Sequence, residues 1–408
     1  MKNKTQEPVT KVVNRVRPVI LVFVRFYLPG DKSGGPVRSI VNSINKLSDE
    51  FDFRIVTSDH DSTEKEPYKE VMVDAWNQVG KAQVFYLSPK NCSLLFIAKL
   101  LSVTHYDVLY LNSFFDRVFT QKPLWARKLG LAPKKPLIIA PRGEFSSGAF
   151  SFKYWKKKPY TWLARKIELS NQIIWHASTE HEASDIRYHL AVNKSLQISI
   201  VVASDIASDI ALDIASGDEP IHGLRIVFLS RITPKKNLDF ALRVLAKVQV
   251  PVQFNIYGPV SEDDYWHKCK VLMENLPPNV TTRYAGILAH SDVSVVFRLH
   301  DLFFFPTHGE NYGHVIMESL SAGTPVLIAN TTPWLNLEPA GVGWALSLDS
   351  EKDFVDKIHI AAQFSDKDRR EWRKRVILYA IERSTDTEIL ASNRRLFWGA
   401  MQNAFKVA

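Results

Sequence analysis

The sequence predicts an α/β protein of two Rossmann-like, doubly wound domains facing across a cleft, with C-terminal helices packing across both. Three observations carry this expectation. The chain has 408 residues, too many for one ordinary core and suited to two of about 200 residues each. Short β-rich runs alternate with helical patterns, the mark of βαβ units and a parallel sheet. The alternation breaks once, near Ala203 to Pro220, and then starts again.

The first apolar run, Pro18 to Phe26, follows Lys2, Lys4, Lys11, Arg15 and Arg17 and contains Arg25. It is too short to span a bilayer and lacks a small-residue cleavage site, so it reads as a buried first strand. A helix is expected from Pro36 to about Leu47, with Val37, Ile40, Val41, Ile44 and Leu47 on one face. FRIVT, QVFYL, DVLYL, PLIIA and IIWHAS continue the first sheet. SDIASDIALDIASGDEP then repeats Asp-Ile every four residues before a Gly-Asp-Glu-Pro break, which marks an interdomain connection.

The second series runs LRIVFLS, a helix from Asn237, VQFNIYG, a helix around Tyr265 to Glu274, LFFFPT, a helix from about Tyr312, and PVLIAN. After Ser350 the chain reads as helices rich in Arg, Lys, Trp and Phe. The expected division is 1–203 for a first Rossmann-like domain, 204–222 for the linker, 223–375 for a second and 376–408 for a helical tail.

Composition bounds the function. With 46% hydrophobic and 23% charged residues, the chain fills two cores and is not disordered. A net charge of +9 favours nucleotide phosphates, anionic lipid surfaces or nucleic acid. Cys92 and Cys269 stand far apart, which argues against a disulfide framework or zinc site and for a reducing compartment. No apolar run approaches the roughly 20 residues of a spanning helix. The expected location is therefore cytoplasmic, with any membrane contact peripheral and at the inner face of the cell membrane.

Three motifs carry chemistry. GDKSGGPVRSI, Gly30 to Ile40, places Gly34 and Gly35 before a helix with Pro36 at its first position, a turn that lets backbone N–H groups meet a phosphate. A Gly-Gly turn is as often merely structural, and neither the dinucleotide GxGxxG nor a P-loop lysine is present, since Lys32 precedes the glycines. In SRITPKKNL, Ser230 to Leu238, Arg231 and Lys236 can converge on one diphosphate; the plainer reading is a solvated basic loop. PTHGENYGHVIMESLSAGTPVLI, Pro306 to Ile328, is the most specific. Glu310 lies in a loop beside Gly309 and Gly313, and Glu318 follows two helical turns later. A loop carboxylate suits sugar hydroxyls and a helical one suits a ribose diol, while the N–H groups of Asn311, Tyr312 and Gly313 point at negative charge. Two surface glutamates are the alternative.

Lys153 to Lys166, KYWKKKPYTWLARK, interleaves six basic residues with Tyr154, Trp155, Tyr160 and Trp162. That mixture fits an anionic, interfacial surface such as a membrane, or equally a solvated helix with its aromatics in the core. No nucleic-acid motif accompanies it, so no nucleic-acid partner is expected.

GENYGHVIMESLSAGTPVLIANTTPW resembles the EX7E region of the GT4 family of GT-B glycosyltransferases, with Glu310 and Glu318 at the two acidic positions. SRITPKKNL resembles that family's Arg and Lys diphosphate motif, and GGPVRSI its N-terminal glycine loop. The likeness covers most of the chain and is strongest from about Arg225 to Leu348.

The resemblance implies a GT-B fold and a retaining transfer of a hexose-type sugar from a UDP or GDP sugar to an acceptor hydroxyl. No metal and no cofactor beyond the nucleotide sugar are implied. Arg231 and Lys236 would neutralise the departing diphosphate, Glu310 would contact the sugar and Glu318 would hold the ribose. The glycine loop and Asn311 to Gly313 would complete the donor site, with the donor bound mainly by domain 223–375 and the acceptor mainly by domain 1–203. Among bacterial members the product is surface polysaccharide, in O-antigen (lipopolysaccharide), capsule or exopolysaccharide, built on a saccharide or polyprenyl-linked saccharide acceptor.

Two departures stand out. In APRGEFSSGAF, Arg142 occupies the place where relatives carry a histidine after the proline, and Arg142 or Glu144 is expected on the acceptor side. Ala203, Ser204 and Asp205 replace the usual Pro-Asn-Gly turn at the end of the first domain. Rival readings are a nucleotide-sugar epimerase of the same architecture, a GT-A transferase holding a metal at Asp59, His60 and Asp61, and a non-catalytic polyanion-binding protein.

Overall fold

The computed structural model describes residues 16–30, 34–61, 64, 66–146, 173–190, 198–208 and 223–405. The basic aromatic stretch 153–166, Lys32 and the linker from 209 to 222 lie outside them.

The first sheet has eight strands among the described residues, in the order β3-β4-β2-β1-β5-β6-β7-β8. They are β1 Val19–Phe23, β2 Asp52–Ser58, β3 Trp76–Val79, β4 Ala82–Leu87, β5 Val108–Asn112, β6 Leu137–Ala140, β7 Ile173–Ala177 and β8 Ser199–Val202. All neighbours pair in parallel except β3, which folds back on β4. Every residue of β1, β5, β6 and β7 is buried, which is why these strands read as unbroken apolar runs rather than alternating ones. Helices cover both faces. Helix α1, Gly35–Leu47, lays Val37, Ile40, Ile44 and Leu47 on one, as its periodicity requires. On the other lie α2, Leu94–Val103, and α3, Lys122–Lys128, through Ile97, Leu101 and Ala126; helix α4 is Glu180–Leu190.

The second sheet is wholly parallel, in the order β11-β10-β9-β12-β13-β14. Its strands are β9 Leu224–Leu229, β10 Val252–Tyr257, β11 Val280–Gly286, β12 Leu302–Phe305, β13 Val326–Ala329 and β14 Gly343–Leu346. Helices α5 Leu238–Leu245, α6 Asp263–Glu274, α7 His290–Arg298, α8 His314–Ser321 and α9 Glu351–Ala362 complete it. Two starts shift from expectation. Asn237 sits in the left-handed region at φ 62°, so α5 begins one residue later. Gly313 at φ 83° ends the loop before α8, so that helix begins at His314 and not at Tyr312.

The chain crosses between the domains twice. Ala203 and Ile206 belong to the first core and Ala207 to the second. Helix α10, Asp366–Ser384, packs Trp372, Val376 and Ala380 on the second domain. Helix α11, Thr387–Phe405, then returns Leu396, Phe397 and Ala400 to the first. The expected boundary at 375/376 therefore falls inside α10. The i, i+4, i+8 spacing of 372, 376 and 380 makes one stripe that cannot be divided. The tail leaves the second domain only after Ser384.

In each sheet the strand order reverses next to the first strand, between β1 and β5 and between β9 and β12. Loops leaving the carboxyl ends of such neighbours diverge to opposite faces and open a crevice. The loops after β9 and β12 are 230–237 and 306–313, so the topology itself brings SRITPKKNL against PTHGENYG.

Candidate active site

The two second-domain loops clasp each other through backbone. His308 N–H donates to the Lys235 carbonyl at 2.9 Å, and Asn237 Nδ2 donates to the Pro306 carbonyl at 2.9 Å. Thr307 Oγ1 donates to Glu310 Oε1 at 3.1 Å. Lys236 Nζ forms an ion pair with that same Oε1 and stands 5.3 Å from the centre of the Phe305 ring. These side chains are only 15% and 14% exposed, so the pair is built into the crevice rather than waving over it.

Arg231 is exposed, and its guanidinium makes no hydrogen bond or ion pair with any described residue. The Lys235 ammonium is pushed below its usual pKa first by desolvation and then, against the pull of Glu310, by the like charges of Lys236 and Arg231. Three cations thus gather about one carboxylate, an excess that attracts a polyanion. Glu318 lies in the second turn of α8, half-buried, with no hydrogen-bond or ion-pair partner among the described residues.

Gly313 is held where a side chain would not fit. A Cβ there would lie 2.9 Å from Ile316 Cδ1 and 3.4 Å from Trp334 Nε1, in addition to the positive φ. Trp334 Nε1–H donates to the Tyr312 carbonyl at 2.6 Å, and Tyr312 is buried, so this turn is rigidly backed. Asn311, Tyr312 and Gly313 precede the helix; the unsatisfied N–H groups of its first turn begin at His314.

The first domain faces this turn with its own. Gly34, at φ 70°, precedes α1, and nothing lies within 4 Å of a Cβ built on it. A Cβ on Gly35 would lie 3.6 Å from His314 Cδ2, and one on Gly143 would lie 3.3 Å from Asn311 Cβ. The N-termini of α1 and α8 therefore look at each other across the cleft, two positive dipole ends around one space.

Arg142 and Glu144 are engaged within the first domain. Arg142 donates to Asp205 Oδ1 at 2.7 Å, to Tyr110 Oη at 2.8 Å and to Asn112 Oδ1 at 2.9 and 3.1 Å; its side chain is 8% exposed. That commitment takes the guanidinium away from the acceptor-binding part expected of it. Glu144 accepts from Ser113 Oγ at 2.7 Å and from the N–H groups of Phe114 and Phe115 at 2.6 and 3.2 Å, and so shapes a loop. The two departures noted in the sequence, Arg142 and the Ala203-Ser204-Asp205 turn, meet in one buried ion pair. Burial pushes the Asp205 carboxyl up, but Arg142 and then His314 outweigh it and hold it well below the usual carboxylate range.

The hydrogen bonds behind Arg142 run one way. His176 Nε2 lies 2.8 Å from the Ala203 carbonyl, so it carries the proton, and Nδ1 accepts from Tyr110 O–H at 2.7 Å. Tyr110 in turn accepts from Arg142. Desolvation first, and then the Arg142 charge, push His176 down to about 4. Neither Tyr110 nor His176 stood out in the sequence, being polar residues inside apolar strands. His314 did lie within the third motif, but nothing in a sequence marks the first residue of a helix as a contact to the other domain.

Comparisons with known proteins agree with this architecture. Residues 214–378 match the family model described as Glycosyl transferases group 1. A Klebsiella pneumoniae protein, "Uncharacterized 41.2 kDa protein in cps region", is 23% identical over 303 residues, 72% of this chain and 78% of that one. The alpha-monoglucosyldiacylglycerol synthase of Streptococcus pneumoniae is 30% identical over 114 residues, 27% of this chain and 25% of that one. The crystal structure of Anabaena Alr3699/HepE in complex with UDP and glucose matches with a TM-score of 0.66 at 16% identity, over 94% of this chain and 99% of that one. Sucrose-phosphate synthase from Thermosynechococcus elongatus gives a TM-score of 0.68 at 13% identity, over 96% and 100%. The second domain is thus similar in sequence to the group 1 glycosyltransferases, and over nearly its whole length the chain has the GT-B architecture.

Proposed function

We propose that this chain is a glycosyltransferase that moves a hexose-type sugar, with retention of configuration, from a UDP or GDP sugar to a saccharide or polyprenyl-linked saccharide hydroxyl in bacterial surface polysaccharide assembly. The observation that carries the reading is the Lys236–Glu310 pair at the second sheet's reversal point, with Arg231 beside it and without a partner among the described residues. A diphosphate entering there displaces the ammonium from Glu310. The freed carboxylate then takes sugar hydroxyls, and Arg231, Lys235, Lys236 and the facing helix N-termini take the leaving charge. In a front-face route the departing phosphate accepts the acceptor's proton, so no protein nucleophile is needed. Glu318, whose carboxylate has no partner among the described residues, is available to a ribose diol. Since fixed cations and dipoles supply the charge stabilisation, the reaction is expected to run without a metal.

Support from relatives is of the same kind. Alr3699/HepE is described in complex with UDP and with UDP-glucose, and the Klebsiella relative comes from a cps region. Peripheral membrane contact in a cytoplasmic enzyme has a described surface to rest on. Segments 88–106 and 117–136, which hold α2 and α3, contain eight Lys and Arg and no Asp or Glu. On that surface Leu95 is 72%, Val103 70% and Leu129 57% exposed, an apolar and cationic mixture suited to anionic headgroups. No described helix is long and apolar enough to cross a membrane.

The test is a thermal-shift screen with UDP, GDP and ADP sugars, followed by a transfer assay with and without EDTA. Saturation at a hundredfold over Kd adds about 2.7 kcal/mol of stability, several degrees in Tm. Stabilisation by UDP or GDP sugars and EDTA-insensitive transfer are expected. No shift with any nucleotide sugar refutes the donor site, and donor isomerisation without acceptor points to an epimerase.

A further inference from the structure

We propose that His314 is a positioning residue, the second domain's half of a latch whose first-domain half is the buried Arg142–Asp205 pair with Ser39, and that this latch fixes the facing of the α1 and α8 N-termini.

Asp205 stands on the crossing itself, between Ile206 of the first core and Ala207 of the second on one side and Ala203 on the other. Its Oδ1 is held by Arg142 at 2.7 Å, and its Oδ2 lies 3.6 Å from His314 Nε2. The same Nε2 is 2.9 Å from Ser39 Oγ in the second turn of α1. Ser39 Oγ also lies 3.2 Å from the Gly35 carbonyl, which can only accept. The hydroxyl proton therefore goes to Gly35, and His314 Nε2–H donates to Ser39 Oγ. A second domain swung away from the first would lose this bond and the 3.6 Å approach of His314 to the buried Asp205 carboxylate.

The parts differ in what they hold. Arg142 and Asp205 are both nearly buried, so their pair fixes the crossing whether or not the cleft is shut. His314 is the first residue of α8, four residues before Glu318 and four after Glu310, so anchoring its ring anchors the frame that carries both carboxylates. Its ring also packs on Tyr312 at 4.8 Å between centroids, which restricts the turn from the other side. The contact is thus a spacer between two helix starts, set by the first domain and read by the second.

The experiment uses the ligand-free full chain, with small-angle X-ray scattering for opening and thermal melting for folding. His314→Leu removes the donor. Loss of one hydrogen bond and its neighbouring charge contact shifts the closed-to-open ratio about tenfold, so the radius of gyration rises while the melt stays cooperative. His314→Gln can still donate to Ser39 Oγ and keeps the wild-type scattering. Asp205→Asn leaves Arg142 buried without its counter-charge and lowers Tm by roughly 10 °C; because the His314–Ser39 bond survives that change, adding His314→Leu to it opens the cleft further. Scattering of His314→Leu superimposable on wild type overturns the proposal. So does His314→Gln opening as far as His314→Leu, or a double variant that opens no further than Asp205→Asn alone.

Discussion

Replacing Lys236 by Met tests the donor site most directly, because methionine keeps an unbranched apolar stem beside Phe305 and removes only the charge. Glu310 is then left in the crevice with Thr307 Oγ1 as its remaining side-chain partner. Breaking a pair whose members are 15% and 14% exposed costs less than breaking a fully buried one, about 1–3 kcal/mol, or roughly 3–10 °C in Tm. The effect on transfer is larger. A preorganised charge that meets the leaving group is worth about 10²–10³ in kcat, some 3–4 kcal/mol of barrier. Glu310→Gln removes the other partner and costs less stability, since the amide oxygen still accepts from both neighbours. The double variant, with both charges gone, regains most of the lost stability and none of the lost activity. Melting curves and kcat/KM on the four proteins decide the matter. Turnover of Lys236→Met within threefold of wild type, or recovery of turnover together with stability in the double variant, refutes the assignment and leaves a structural ion pair.

Arg231→Ala should leave Tm within a degree or two while lowering kcat/KM at least tenfold, because the side chain is exposed and has no described partner to lose; a melt that falls with activity would count against it. His176 ionises at about 4 in the folded chain, below its ordinary 6.5, so below pH 6.5 the unfolded chain gains a proton that the folded chain refuses. Stability present at neutral pH should thus fall by about 3 kcal/mol between pH 6.5 and 4, and His176→Gln should flatten urea-melt stability across that window. Leu95→Glu with Leu129→Glu should weaken sedimentation with anionic phosphatidylglycerol vesicles at least tenfold without affecting transfer to a soluble acceptor; equal binding by the variant would remove α2 and α3 as the membrane face.

Much of this was legible in the sequence for identifiable reasons. The sheets announced themselves because strands buried on both faces need unbroken apolar runs, as VILVF and LFFF show. SRITPKKNL and PTHGENYG are paired in the sequence by their resemblance to two motifs of one family, and the neighbouring of β9 and β12 supplies the physical reason. What stayed hidden depended on contacts between distant segments. Arg142 looked like a free cation at a loop, yet Asp205 lies 63 residues away and claims it. His314 looked like one more helical residue, yet its partner Ser39 is 275 residues earlier. The division of the tail failed for a related reason: polarity alone could not say which of the last helices packs on which core, and Phe397 shows its allegiance only through Phe51, Phe53 and Tyr110.

The two crossings have a mechanical consequence. Asn393 Nδ2, on the returning helix α11, donates to the Ser204 carbonyl in the outgoing segment after β8 at 2.9 Å, so both connections run side by side and are stitched together. A body hung from one tether can swivel in any direction, whereas one hung from two adjacent tethers swings like a door on its pins. Severing the chain after residue 386 would cut one pin and turn a guided swing into a loose wobble.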